Sequence, residues 1–345
     1  MKISSDKTSH AITRRRFLGS AFTLGAASFL GMPGSAAADA PPETKRIRLV
    51  LDEATCLAPQ FLSAEMLRLE GFAQVEYVRL NYEEHSNLGS VVAAGKADIT
   101  QDAGVSFVSL IDSGQPVVVL SGVHVGCWEL FGSSRVRAIR DLKGKRIPIS
   151  TTGSEEHLVI SSMLAYVGMD PRSDVEFVTI PTFDDQLKAF LAGSVEAIFA
   201  FPPQPQRLRA EKIGSVIVDA ARDRPWNQYF CCVAGVNRDF ATRNPVATKR
   251  ALRAILKAAD ICAQDPQRAA RYLVDKGYES RYDTALEVLT NVPYGRWRDF
   301  NPEDTLRFHA LRLHEVGMIK SDPNKLIARG TDWRLLNELK KELKA

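Results

Sequence analysis

From residue 45 onward, apolar positions follow two alternating periods. Residues 47–51 form a short apolar run of the kind a buried strand carries. Residues 59–70 repeat apolar side chains at helical spacing, with Phe61, Leu62, Met66 and Leu69 on one stripe and Gly71 as the stop. Strands are predicted over 75–80, 97–100 and 117–121, and helices over 88–94 and 105–111. This β-α-β-α rhythm predicts an α/β unit with a largely parallel sheet. A second unit has the same rhythm, with strands over 146–150, 175–180, 197–201 and 216–218 and helices over 154–167, 184–191 and 204–212. The units share a local signature: Ala94-Gly95-Lys96-Ala97-Asp98-Ile99 is answered by Ala192-Gly193-Ser194-Val195-Glu196-Ala197. In each, a helix stops at glycine, an acid follows three residues later, and a buried strand begins. After Trp226 the pattern turns helical, over 244–264, 266–276, 281–290, 302–316 and 333–343. Asn301-Pro302-Glu303-Asp304 is a strong helix start, combining a capping amide, an N1 proline and acids at the positive end.

The N-terminus breaks this rhythm. Arg14, Arg15 and Arg16 precede an apolar run over residues 17–30, shorter than the ~20 residues a membrane helix needs. Ala36-Ala37-Ala38 then offers a small-residue cleavage site before Asp39. The segment Thr13-Arg14-Arg15-Arg16-Phe17-Leu18 resembles a twin-arginine export signal, a route that carries folded chains, so residues 1–38 are assigned to a signal peptide and the mature protein to the periplasm. The run ends without a cysteine that could carry a lipid. Residues 1–38 hold five basic side chains and one acid, a charge of +4, which equals the +4 of the whole chain. The mature part is therefore formally neutral and lacks the basic stripe of a nucleic-acid binder.

The five cysteines, Cys56, Cys127, Cys231, Cys232 and Cys262, make no C-x-x-C pair, so no zinc knuckle or redox motif is indicated. Cys231 and Cys232 are neighbours on a predicted strand and point to opposite faces. The cysteines read as small apolar core residues. His309 and His314 are five apart, off the i, i+4 face that binds zinc on a helix, so no metal and no other cofactor is expected. Ser154, His157 and Glu155 or Glu156 supply the residue types of a hydrolase triad. They lie within one helical turn and no G-x-S-x-G elbow is present, so no catalytic residue is assigned.

Several stretches together resemble the periplasmic substrate-binding proteins of ABC importers, in the nitrate/sulfonate/taurine, or NMT1/THI5-like, family. They are the two helix-Gly-acid-strand signatures, Arg140-Asp141-Leu142-Lys143-Gly144-Lys145-Arg146, Gly153-Ser154, and Gly168-Met169-Asp170-Pro171, over about residues 45–320. The resemblance implies a two-lobed periplasmic-binding-protein type II fold. Each lobe would be a mostly parallel sheet flanked by helices, with two hinge crossings near residues 123–131 and 228–236. Residues 39–124 and 232–345 would form lobe one, and 125–231 lobe two. It implies a monomer that captures a small organic or anionic solute, performs no chemistry on it, and delivers it to a permease and ATPase in the inner membrane. Two alternatives carry the same resemblance: a ligand-sensing periplasmic receptor, and a THI5-like pyrimidine-forming enzyme. The enzyme is known for a Cys-Cys-Cys-Phe-Cys run, where this chain has only Cys231-Cys232 after Phe230.

Ligands of open α/β sheets meet the carboxyl ends of strands and the starts of the following helices. That rule selects Glu53 and Thr55 after the first strand, Asp102, Ala103 and Gly104 after the third, and Phe201 in lobe two. It also selects Thr151, Thr152, Gly153 and Ser154, whose hydroxyls and helix-start N–H groups suit an anion. His157 lies one turn further, and His124 and Tyr229 flank the crossings. The acids Glu53, Asp102, Glu155 and Glu156 lean the other way, toward a ligand with donors or an amine.

Overall fold

Strands and helices alternate along residues 40–344, which the computed structural model describes; the signal expected over residues 1–38 lies outside them. The first run is β1 (Arg46–Leu51), α1 (Ala58–Leu69), β2 (Gln74–Arg79), α2 (Leu88–Ala93), β3 (Ile99–Ala103), α3 (Gly104–Asp112) and β4 (Val117–Val125). Next come β5 (Glu129–Gly132), β6 (Arg146–Ile149), α4 (Glu155–Tyr166), β7 (Glu176–Thr179), α5 (Phe183–Leu191), β8 (Ala197–Ala200), α6 (Gln204–Ala210) and β9 (Ser215–Asp219). Then β10 (Phe230–Asn237) leads into α7 (Arg238–Arg243), α8 (Pro245–Gln264), α9 (Pro266–Asp275), α10 (Tyr282–Asn291), α11 (Pro302–Glu315), α12 (Pro323–Gly330) and α13 (Arg334–Glu342).

The first sheet has the order β2-β1-β3-β10-β4, with β1 parallel to β2 and β3, and β10 antiparallel to β3 and β4. In the second half β6 pairs in parallel with β7, and β5 runs antiparallel between β8 and β9. The Glu196 N–H donates to the Arg146 carbonyl (3.0 Å), which links β8 to β6. The resulting order, β7-β6-β8-β5-β9, copies that of the first sheet. Both sheets are mixed rather than mostly parallel, because the strand that crosses between halves enters each sheet reversed.

The sequence signature is mirrored atom for atom. The Asp98 N–H donates to the Arg48 carbonyl (2.9 Å), and the Arg48 N–H donates back to the Asp98 carboxylate (2.8 Å). In the second half the Arg146 N–H donates to the Glu196 carboxylate at 2.9 Å. Gly95 and Gly193 share the left-handed φ of +69° and +70° that stops each preceding helix. The acid is thus a side-chain clamp that registers the strand after the helix against the first strand of its unit.

β4 runs four residues beyond its expected end, and its nine positions are all buried, which the polar Ser121 and His124 conceal in the sequence. Two short helices, α7 and α12, were not expected. Their starts are capped by Asn237 and Asp322, whose side chains each accept two backbone N–H bonds. A large core lies around the first sheet and the C-terminal helices, with Trp297, Tyr294, Phe61 and Phe107 fully buried. A smaller core under the second half joins Phe131, Leu187, Phe190, Ile198 and Leu208. No helix among the described residues is long and apolar enough to cross a membrane.

Candidate functional site between the halves

Gln60, fully buried on α1, fixes the strand ends that carry the first half of the site. Its amide donates to the Val50 carbonyl (2.6 Å), and its side-chain oxygen accepts from the Gln101 N–H (2.7 Å). Asp52 and Asp102 follow directly. Both line a cavity of about 60 Å³, with Tyr82 and Asn87 from the β2–α2 loop and Glu155 and Glu156 from the start of α4. A wider cavity of about 370 Å³ continues outward and shares Asp52, Tyr82, Glu156 and Phe201. Contacts from both halves close over this space. The Thr55 N–H donates to the Pro202 carbonyl (3.0 Å), and the Asn87 amide to the Gly153 carbonyl (3.4 Å). Further back, the Ser162 hydroxyl of α4 meets His309 Nδ1 of α11 at 3.0 Å, and Tyr229 stacks on Phe308 with centroids 4.4 Å apart.

The cavities are acidic, and among the described residues no lysine or arginine lines either one. Burial pushes the Asp102 carboxyl up to about 7, although it accepts the Gly89 (2.6 Å) and Ala103 (2.7 Å) N–H groups. Burial also raises Asp52, which accepts the Tyr82 hydroxyl at 2.9 Å. Glu155 is raised by its desolvated setting and by the Asp102 charge facing it. A cluster of carboxyls strained toward the neutral form is relieved by a bound cation or by a ligand rich in hydrogen-bond donors.

The residues selected from sequence divide accordingly. Asp102 and Phe201 line the inner cavity, and Phe201 also reaches the outer one. Glu53 lines the outer cavity but is exposed and paired with Arg79 at 3.1 Å. Thr55 is buried, and its hydroxyl donates to Glu279 (2.9 Å). Ala103 and Tyr229 border a separate small apolar pocket with Trp128, Trp226 and Phe308. Gly104 packs under α11, where an added Cβ would stand 2.9 Å from Thr305. Thr151, Thr152, Gly153 and Ser154 line neither cavity. Ser154 is buried as the cap of α4, and Glu156 turns back onto the Ser150 N–H and hydroxyl, accepting both at 2.5 Å. His157 Nδ1 accepts the Gly153 N–H (3.0 Å), its ring edge-on to Phe177, and burial lowers its pKa. Sequence reasoning missed Asp52, Tyr82 and Asn87; the capping pattern at Asn87 was the available signal.

All five cysteines are buried in the hydrophobic core, as read from the sequence, and four of them also share a neighbour that the sequence does not reveal. Cys56, Cys127, Cys231 and Cys232 gather around His124 of β4. The donor atoms of Cys56, His124 and Cys127 lie within 4.8 Å of one another, as do those of His124, Cys231 and Cys232. Cys127 Sγ and Cys231 Sγ are 3.1 Å apart. Register shifts on either side of Cys232 break the strict alternation of β10, so adjacent cysteines both reach the His124 ring. Hydrogen bonding from Cys127 and Cys232 holds the Cys56 and Cys231 thiols well below the usual thiol range. Histidine spacing along the sequence does not reveal this donor set, because its members come from three separate segments.

Comparison with known proteins places this geometry. A family model described as NMT1/THI5 like matches residues 74–269. A 4-amino-5-hydroxymethyl-2-methylpyrimidine phosphate synthase of Candida albicans is 25% identical over 272 residues, covering 71% of this chain and 78% of the synthase. Among solved structures, the periplasmic nitrate-binding protein NrtA of Synechocystis PCC 6803 superposes with a TM-score of 0.73 at 15% identity, over 88% of this chain and 90% of NrtA. The alkanesulfonate-binding protein SsuA of Xanthomonas axonopodis pv. citri, bound to MOPS, gives 0.68 at 16% identity, over 84% and 99%. These likenesses establish the periplasmic-binding-protein fold.

Proposed function

The chain belongs to the NMT1/THI5-like family, and from that premise we propose that it is an exported solute-binding protein serving an ABC importer. Residues 39–124 and 232–345 act as one lobe and 125–231 as the other, and hinge closure buries the solute between them. The signal pattern over residues 1–38 supports a periplasmic location, and the family supports delivery to an inner-membrane permease and ATPase. The protein binds its solute without chemical change.

The observation that carries the choice of solute is the wall of the two cavities: five carboxyls, with no lysine or arginine among the described residues that line it. Nitrate and sulfonates would face those carboxyls without a countercharge. The solute class is therefore cationic or donor-rich. Thermal unfolding against a panel of amines, amidines, zwitterions, nitrate and alkanesulfonates tests this. A ligand at 100 times its Kd adds about 2.7 kcal/mol. Amines or donor-rich solutes should raise the Tm, and nitrate and sulfonates should leave it in place. Stabilisation by the anions alone refutes the assignment.

A further inference from the structure

The geometry points to a binding site for one thiophilic d10 metal ion, such as Zn(II) or Cu(I), held by His124 and three thiolates drawn from Cys56, Cys127, Cys231 and Cys232. The five candidate donors come from the loop after β1, from the first crossing and from β10, so the ion joins both crossings to the first half. The inference goes beyond the solute reading and survives its failure, since it concerns the protein without solute.

His124 is the first support. Its ring is fully buried, and Nδ1 lies 3.3 Å from the Val125 carbonyl. With Nδ1–H donating there, the Nε2 lone pair is directed outward, the tautomer a metal-bound imidazole adopts. Nε2 is buried without a hydrogen bond of good geometry, and the Cys56 thiol is the polar group that interacts with it. Buried polar atoms are rarely left without such a bond, and a nitrogen so placed within 4.8 Å of cysteine sulfurs is an unfilled ligand position.

The second support is the contrast with Cys262. That residue is a buried cysteine of α8 that belongs to neither donor group, which is the pattern of a space-filling thiol. The other four converge. A tetrahedral centre with metal–sulfur bonds of about 2.3 Å sets its donor atoms about 3.8 Å apart. Within each group of three, donors already within 4.8 Å of one another need shifts of about an ångström or less to reach that spacing, and Cys127 Sγ and Cys231 Sγ, 3.1 Å apart, need to part by less than that. Thiolates with imidazole select soft or borderline cations over magnesium or calcium.

The third support is position. Cys56, Cys127 and Cys232 also line the inner cavity. An ion here forms the floor of the cavity.

The test uses the full chain purified without oxygen, with Co(II) as a spectroscopic probe and Zn(II) and Cu(I) as competitors. One Co(II) per chain should bind with thiolate-to-cobalt charge-transfer bands and intense tetrahedral d–d bands, and Zn(II) or Cu(I) should displace it. The competitor that displaces it at the lower free concentration identifies the preferred ion. His124→Asn and Cys56→Ser should each weaken binding by more than the roughly 10–100-fold that loss of an outer-shell partner costs. Cys262→Ala should leave the spectrum unchanged. The wild-type spectrum needs no variant to fold. Absence of charge-transfer bands, or a Cys127–Cys231 disulfide in the protein recovered from the export compartment, overturns the assignment.

Discussion

On the hinge motion proposed above, the contact between Ser162 and His309 makes closure of the two halves sensitive to acid. Ser162 is fully buried on α4 and His309 nearly so on α11, so parting the halves exposes both. Burial pulls the His309 imidazole down to about 3 from its ordinary 6.5. Its folded pKa is depressed, so the closed form keeps it neutral while the open form binds a proton. Closure is therefore unaffected above pH 6.5 and is progressively lost as pH falls from 6.5 toward about 3. At pH 5 the open form gains roughly 30-fold, or about 2 kcal/mol. Asp102 titrates with the opposite sign, since burial holds it protonated up to about 7, so the wild-type profile alone mixes the two. His309→Gln separates them, because glutamine can partner the Ser162 hydroxyl and does not titrate. Solution scattering between pH 7.5 and 5, with Trp226 fluorescence as a local reporter beside Phe308, reads the opening. Acid should expand the wild type and leave His309→Gln closed. Equal expansion of both proteins refutes the argument. Ser162→Ala should open the cleft even at pH 7.5, since an unpaired buried imidazole nitrogen costs about 1–3 kcal/mol.

The remaining predictions concern the scaffold and the cavity. Asp98→Ala and Glu196→Ala each orphan a backbone N–H at matching places in the two halves and should each cost about 1–3 kcal/mol by denaturant unfolding; Asp98 should cost more because it also holds the Arg48 guanidinium at 2.6 Å. Gly126→Ala places a Cβ 2.2 Å from the Ala220 carbonyl oxygen, backbone against backbone at the first crossing, and should lower stability by about 1–3 kcal/mol or more, read as a drop in Tm. Asp52→Asn removes a cavity charge while keeping an acceptor for Tyr82; it should weaken a cationic solute about tenfold or more in calorimetry and leave the fold unchanged by circular dichroism.

Most of the scaffold was legible because its signals are local. Apolar periodicity located the helices from α1 to α13 within a residue or two, apart from α7 and α12. Those two are six and eight residues long, too short for periodicity to register. The paired Gly-acid signature exposed the likeness of the two units, since Asp98 and Glu196 perform one task in both. The site was half legible. Strand-end reasoning reached Asp102 and Phe201, which face the cavity. It also selected Thr151 to Ser154, where Glu156 turns back onto Ser150 and occupies the helix start. The thiol cluster was invisible for a different reason. Cys56, Cys127 and Cys231 are separated by long stretches of chain and meet only through tertiary structure, and the bulge in β10 cancels the alternation that would have parted Cys231 from Cys232.

The strand order β2-β1-β3-β10-β4 also dictates a sequence of events in time. β10 occupies the slot between β3 and β4, yet it follows them by more than a hundred residues, so the first sheet stays split until the entire second half has been synthesised. During that interval β3 and β4 each present an unpaired backbone edge, and β4 is a β-branched segment without charge. Such edges recruit other strands, and contacts of high sequence separation form slowly. A fragment ending near residue 124 is therefore expected to aggregate rather than fold, and the chain's most vulnerable state is the nascent one that has made β4 and awaits β10.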